Sequence, residues 1–222
     1  MAAPRSARGR ALAAAELLAE EFAGRLCELD HDNPFELLTA TILSAQTTDA
    51  RVNSVTPELF ARYPAAQDLA LADPGEVERI VHSTGFYAAK TRSVIAMAAA
   101  LVERHGGAVP EGLAELVALP GVGRKTANLV RVVAFGQPGI VVDTHCGRLA
   151  RRLGLSAEDD PEGVERDVQT LLPRRLWGGF GLRLILHGRR VCTARSPRCD
   201  GCVLAGFCPS SSLPRGRERA SV

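Results

Sequence analysis

Apolar residues recur at helical spacing along nearly the whole chain, and Pro or Gly interrupts them every few turns. Such a chain can form many short helices and little else. Leu17, Leu18, Phe22 and Leu26 form one stripe, Leu37, Leu38, Ile42 and Leu43 a second, and Val94, Met97, Ala98 and Leu101 a third. The breaks fall at Asn33-Pro34, Asp73-Pro74-Gly75, Gly106-Gly107, Pro120-Gly121 and Gly136-Gln137-Pro138. Asn33 and Asp73 each precede a proline, the pattern of an N-cap followed by Pro in the first helical turn. The best strand candidate, residues 140–142, is a short apolar run. The spacing predicts an all-α protein of roughly ten helices, with a candidate domain boundary after Gln137-Pro138-Gly139. The run Trp177-Gly178-Gly179-Phe180-Gly181 predicts either an extended loop or a helix that starts late, near Leu182. Each Gly weakens a helix by about 1 kcal/mol relative to Ala.

The 222 residues carry 27 basic and 25 acidic side chains, a net charge of +2, which excludes a uniformly basic surface. If nucleic acid is the partner, the positive field is local. No stretch reaches the roughly 18 uninterrupted apolar residues of a membrane span. The Ala-rich run after Arg5, Arg8 and Arg10 contains Glu16, Glu20 and Glu21, so it reads as an amphipathic helix and not as a signal-peptide core. Residues 210–222, rich in Ser, Arg and Pro, are expected to be a disordered tail. Of the 27 basic residues, 25 are Arg and two are Lys, Lys90 and Lys125. Arg stays protonated, whereas Lys can act as an amine nucleophile, so a lysine retained in such a chain stands out.

Four cysteines, Cys192, Cys199, Cys202 and Cys208, follow the spacing C-x6-C-x2-C-x5-C. Four thiolates this close suit one compact metal centre, and by spacing alone zinc and an iron–sulfur cluster are both open. Cys27 and Cys146 lie far away in sequence and read as buried small hydrophobes.

Leu119-Pro120-Gly121-Val122-Gly123-Arg124-Lys125-Thr126-Ala127 lies between two apolar helical stretches. Two glycines one residue apart permit a tight turn whose bare backbone can approach another molecule. A helix starting there directs its first N–H groups and its positive dipole end at the turn, an anion site suited to DNA phosphate. Lys125 falls in the first turn of that helix, where it is expected to be partly buried; a neutral amine there can attack a sugar carbon and form a Schiff base. Asp143, in Val142-Asp143-Thr144-His145, either caps the next helix or serves as a charge partner or proton acceptor for that chemistry.

Together these segments resemble the endonuclease III family of helix-hairpin-helix DNA glycosylases, from about Pro34 to Cys208. Pro34-Phe35-Glu36-Leu37-Leu38, Ser44-Ala45-Gln46-Thr47-Thr48-Asp49, Gly85-Phe86-Tyr87 and Leu186-His187-Gly188-Arg189 complete the likeness. The resemblance implies two helical domains with a DNA-binding cleft between them: a six-helix barrel carrying the helix-hairpin-helix at residues 27–137, and a discontinuous cluster domain at residues 1–26 and 138–209. It implies a [4Fe–4S] cluster on the four cysteines. It also implies a bifunctional glycosylase and AP lyase that flips an oxidised pyrimidine out of double-stranded DNA and cuts 3′ to the lesion by β-elimination. Lys125 would then be the nucleophile and Asp143 its assistant. Gln46 would fill the space left by the flipped nucleotide and Phe86 would wedge the opposite strand. Gly121, Val122, Gly123 and Arg124 would meet the DNA backbone, and Arg195 and Arg198 would touch DNA from the cluster loop. The resemblance further implies a monomer in the bacterial cytoplasm, at the nucleoid.

The residues themselves leave other readings. Gln46 can be a helix-end polar residue, Phe86 a core residue, and His145 and His187 hydrogen-bonded structural groups. A monofunctional adenine or mismatch glycosylase of the same fold lacks a lysine at the position of Lys125. A non-catalytic lesion-sensing module needs neither Lys125 nor Asp143.

Overall fold

The computed structural model describes residues 4–213; most of the expected disordered tail, residues 214–222, lies outside them. Among the described residues there are twelve α-helices, three short 3-10 turns and no strand. The count exceeds ten because α3 (Asp49–Asn53), α5 (Ala66–Ala70) and α8 (Leu113–Val117) have five residues each, too few to repeat a helical period. The chain divides into two compact units, one formed by Cys27–Gln137 and the other by the described residues on either side of it.

The Cys27–Gln137 unit is built around α2 (Pro34–Leu43), in which every residue from Phe35 to Leu43 except Glu36 is buried. A helix buried on all sides is the centre of a core. Asn33 caps it by accepting from Glu36 N at 3.0 Å, with Pro34 in the first turn. α2 packs against α7 (Tyr87–His105) and α9 (Arg124–Phe135). α4 (Thr56–Arg62) and α6 (Pro74–Val81) complete the unit, α6 being capped by Asp73. The predicted stripes of α2 and α7 are buried: Leu37, Leu38, Leu43, Val94, Met97, Ala98 and Leu101 each at 0 % exposure, and Ile42 at 6 %.

In the other unit, α1 (Ala7–Glu21) buries Ala11, Ala14, Ala15 and Leu18, one face at i, i+3, i+4, i+7 spacing. It packs against α11 (Pro161–Leu171) and α12 (Trp177–Arg190), and α12 packs against α10 (Thr144–Arg152). Arg10 of α1 donates to the carbonyls of Leu153 and Gly154 just beyond α10, at 2.6 and 2.8 Å.

Two expectations are corrected here. The glycine run is neither loop nor late start, because α12 begins at Trp177. Its glycines serve close packing: a Cβ on Gly181 would lie 3.1 Å from both Val141 N and Ile140 Cγ2, and one on Gly188 would lie 2.9 Å from His145 Cβ. Residues 140–142 form no strand; they are buried chain, with Ile140 at 0 % and Val141 at 1 % exposure, lying against this helix instead of pairing with another strand.

Candidate functional site

The turn between α8 and α9 has the backbone that its glycines require. Gly121 adopts φ +74°, and a Cβ there would come within 3.0 Å of Ser93 Cβ. Gly123 is the N-cap of α9, without a side-chain cap, and a Cβ added to it would meet only open space. Gly121, Gly123, Arg124 and Lys125 are exposed. Val122, expected among the DNA-contacting residues, buries its side chain to 5 % and donates its N–H to Leu119 O at 3.2 Å, which anchors the turn. Lys125, expected to be partly buried, falls among the exposed residues.

Gln46 and Phe86, also in the Cys27–Gln137 unit, have φ of +54° and +49°. Among the described residues they are the two non-glycine residues with positive φ, and both are exposed, Phe86 at 68 %. A bulky side chain held in the left-handed region stores strain, which collects at functional positions. Phe86 is therefore not a core residue.

Asp143 caps α10: its Oδ1 accepts from His145 N and Cys146 N, both at 2.8 Å. Among the described residues its Oδ2 takes no hydrogen bond, so the cap fixes the carboxylate and leaves one oxygen for other work. Cys146 is fully buried with its thiol pushed up by burial and by Asp143, as befits a structural cysteine. Cys27 is buried as well.

The segment bearing the other four cysteines is held by arginines that the sequence reading missed. Arg148 donates to Gly188 O and Cys192 O at 2.9 and 3.0 Å. Arg152, one helical turn on, donates to Cys192 Sγ at 3.1 Å, Thr193 O at 2.8 Å and Ala194 O at 2.8 Å. His187, at 0 % exposure, is hydrogen-bonded through Nδ1 to Glu21 at 2.8 Å and through Nε2 to Cys202 Sγ at 3.3 Å. It has the structural role expected. Arg195 is exposed; Arg198 is exposed too, but its guanidinium donates to Arg190 O at the end of α12.

Residues 39–174 match the HhH-GPD superfamily of base excision DNA repair proteins, and residues 192–208 match the iron–sulfur binding domain of endonuclease III. The chain is 49% identical over 196 residues to endonuclease III of Synechocystis sp., covering 88% of this chain and 90% of that one. The chain belongs to the endonuclease III family. It is 45% identical over 183 residues to the Bacillus subtilis endonuclease III, covering 82% and 84%. A solved structure of a trapped endonuclease III–DNA covalent intermediate superposes with a TM-score of 0.86 at 41% identity, covering 92% of this chain and 96% of that one. As a member of the family, the protein is a base excision repair enzyme, a DNA glycosylase with AP lyase activity, and it binds DNA and a [4Fe–4S] cluster.

The donor set of this endonuclease III family member fits that cluster. The four cysteines share one neighbourhood, since Cys202 feels the charges of Cys192 and Cys208, and Cys208 those of Cys192 and Cys199. Burial pushes the Cys202 thiol up to about 11 and raises Cys208 as well. Bare thiolates are thus disfavoured at these two positions, where an iron-bearing core would offset that cost, whereas hydrogen bonds with Ser212 hold the Cys199 thiol below its ordinary value. Among the described residues no three His, Cys, Asp or Glu side chains are gathered as ligands for a single metal ion. Among the described residues no helix is long and apolar enough to cross a membrane.

Proposed function

We propose that this enzyme removes oxidised pyrimidines from duplex DNA and cuts the strand 3′ to the resulting abasic site, with Lys125 as the nucleophile. The observation that carries this reading is the contrast between the two lysines. Lys90 is buried to 5 % exposure and bonded to Thr84 O, whereas Lys125 is exposed in the first turn of the helix that follows the glycine turn. Lys125 is therefore the lysine amine within reach of a sugar.

The neutral amine of Lys125 attacks C1′, the glycosidic bond breaks and the base departs with its bonding electrons and a proton. The C1′–O4′ bond then opens, O4′ taking up a proton, and the resulting Schiff base makes the C2′ proton acidic; its loss expels the 3′ phosphate, and water releases the enzyme. Asp143 assists through its uncapped oxygen, balancing positive charge at the sugar or accepting a proton. Gln46 and Phe86, strained and exposed, fill the space left by the flipped nucleotide and separate the opposite base. Gly121, Gly123, Arg124 and the start of α9 hold the phosphate backbone, and Arg195 adds a contact from the cluster loop. The cluster shapes that loop and takes no part in bond making. The solved relative trapped as a covalent intermediate on DNA supports covalent chemistry. The enzyme works as a monomer on double-stranded DNA in the bacterial cytoplasm, at the nucleoid; the relatives that match are bacterial.

Borohydride trapping on a duplex with one oxidised thymine tests the proposal. The wild type is expected to give a covalent adduct and Lys125→Ala none, while duplex binding by the variant stays within about tenfold, about 1.4 kcal/mol. An adduct of equal yield from Lys125→Ala removes Lys125 from the mechanism. No adduct from the wild type, with cluster intact and DNA bound, points to a monofunctional glycosylase.

A further inference from the structure

Lys90 is one of two lysines beside 25 arginines, and the chemistry above leaves it unused. It lies on α7, and its Nζ donates to Thr84 O at 2.8 Å. Thr84 ends the 3-10 turn His82–Thr84 and its Oγ1 donates to Val81 O at 2.8 Å. Next come Gly85 at φ +70° and the exposed Phe86 at φ +49°. The carbonyl of Phe86 in turn accepts from the backbone N–H of Lys90 at 3.1 Å. Lys90 thus grips the Phe86 segment from both ends, by its side chain before it and its main chain after it. Burial lowers the pKa of this amine, and among the described residues no charge partner offsets that.

The residue type fits the task. A lysine amine on a slender stem can aim at one carbonyl in a buried space, whereas an arginine fork would bring five donors to the same place and leave most of them unpaired. In a chain with 25 arginines and only one other lysine, Lys90 stands where a single buried acceptor must be reached.

We propose that Lys90 is a positioning residue that holds Phe86 in its left-handed, outward pose, so that the ring is ready to enter the duplex before DNA arrives. The proposal rests on the reading of Phe86 as the wedge. Without the grip, residues 84–86 relax to an ordinary backbone and the pose must be recovered at every encounter. The expected loss is about tenfold, the equivalent of the strain in one left-handed bulky residue.

The test uses a duplex with one oxidised thymine and 2-aminopurine opposite it, read by fluorescence for unstacking and by single-turnover base removal. Lys90→Met and Lys90→Gln, the latter polar but too short to reach Thr84 O, are compared in the wild-type and Phe86→Ala backgrounds. Visible absorbance of the cluster and thermal melting check the fold. Both variants are expected to lose about tenfold in base removal together with the fluorescence rise, and to lose nothing further once Phe86 is Ala. Affinity for undamaged duplex, governed by phosphate contacts, is expected to stay within about twofold. Wild-type fluorescence in the Lys90 variants, or the same loss in the Phe86→Ala background, would overturn the proposal. So would unfolding of both variants, since Lys90 would then support the whole unit and not one pose. Phe86→Ala alone with wild-type fluorescence and rate overturns the wedge reading itself, whatever Lys90 does.

Discussion

Arg152 donates a hydrogen bond to the sulfur of Cys192 at 3.1 Å while the same guanidinium holds the carbonyls of Thr193 and Ala194. One side chain on α10 thereby fixes both a cluster ligand and the start of the loop that follows it. Hydrogen bonds to charged groups are each worth about 1.5–3 kcal/mol, and outer partners of this kind hold metal ligands in place. Arg152→Met is expected to purify with less cluster and to bleach several-fold faster under an iron chelator, followed by visible absorbance. A bleaching rate equal to wild type removes Arg152 from cluster retention.

Asp143 has two separable duties, capping α10 and assisting at the sugar. Asn caps as well as Asp, whereas Ala loses about 1 kcal/mol. Asp143→Asn is therefore expected to melt close to wild type, and Asp143→Ala several degrees lower. Strand cutting is expected to fall at least tenfold in both, because each lacks the carboxylate. Normal cutting by Asp143→Asn confines Asp143 to its cap.

The glycines of α12 make opposite predictions two residues apart. A Cβ at Gly179 would meet only the far end of the Arg183 side chain, at 2.4 Å from its Nη1, so if that guanidinium shifts while its Nε keeps Phe22 O, Gly179→Ala is expected to raise stability by up to about 1 kcal/mol. At Gly181 the obstacle is the Val141 backbone, and Gly181→Ala is expected to cost about 1–3 kcal/mol. Thermal melts of the two single variants decide the matter; a shift of the same sign in both refutes this account.

Glu76 titrates below its ordinary value of 4.5, because the Tyr63 hydroxyl donates to it at 2.9 Å and Arg62 lies at 3.0 Å. A carboxylate lowered in the folded state contributes stability that is fully present above about 4.5 and is lost as pH falls through its folded value. Glu76→Gln is expected to melt at a lower temperature than wild type at pH 7, with the gap closing below pH 4.5. A gap that stays constant with pH would falsify this assignment.

Features governed by neighbours in sequence were legible before the structure. The caps at Asn33 and Asp73 need one polar residue and an adjacent proline, and the cluster segment needs four cysteines within a short span. Features governed by distant neighbours were not. The glycine run is helical because residues 140–142 lie against it, and nothing within residues 177–181 records that. Residues 140–142 looked like a strand because burial by a helix and burial in a sheet demand the same apolar run. Val122 shares its turn with exposed residues, yet its side chain faces the core. Lys90 carried a compositional signal only, and its meaning depended on the carbonyl six residues upstream.

The bonds from Arg10 to Leu153 and Gly154 span 143 and 144 residues. On the ribosome, α1 is made before the Cys27–Gln137 unit and has to wait for its packing partners, because α11 and α12 are made only after that whole unit. At about 5–20 residues per second that wait is on the order of ten seconds. The intervening unit can fold during it, while α1 exposes its apolar face. The four cysteines come after α12, so iron loading and the docking of α1 both wait for the far end of the same unit, and a nascent chain stalled before residue 192 would hold the complete Cys27–Gln137 segment with nowhere to put its iron.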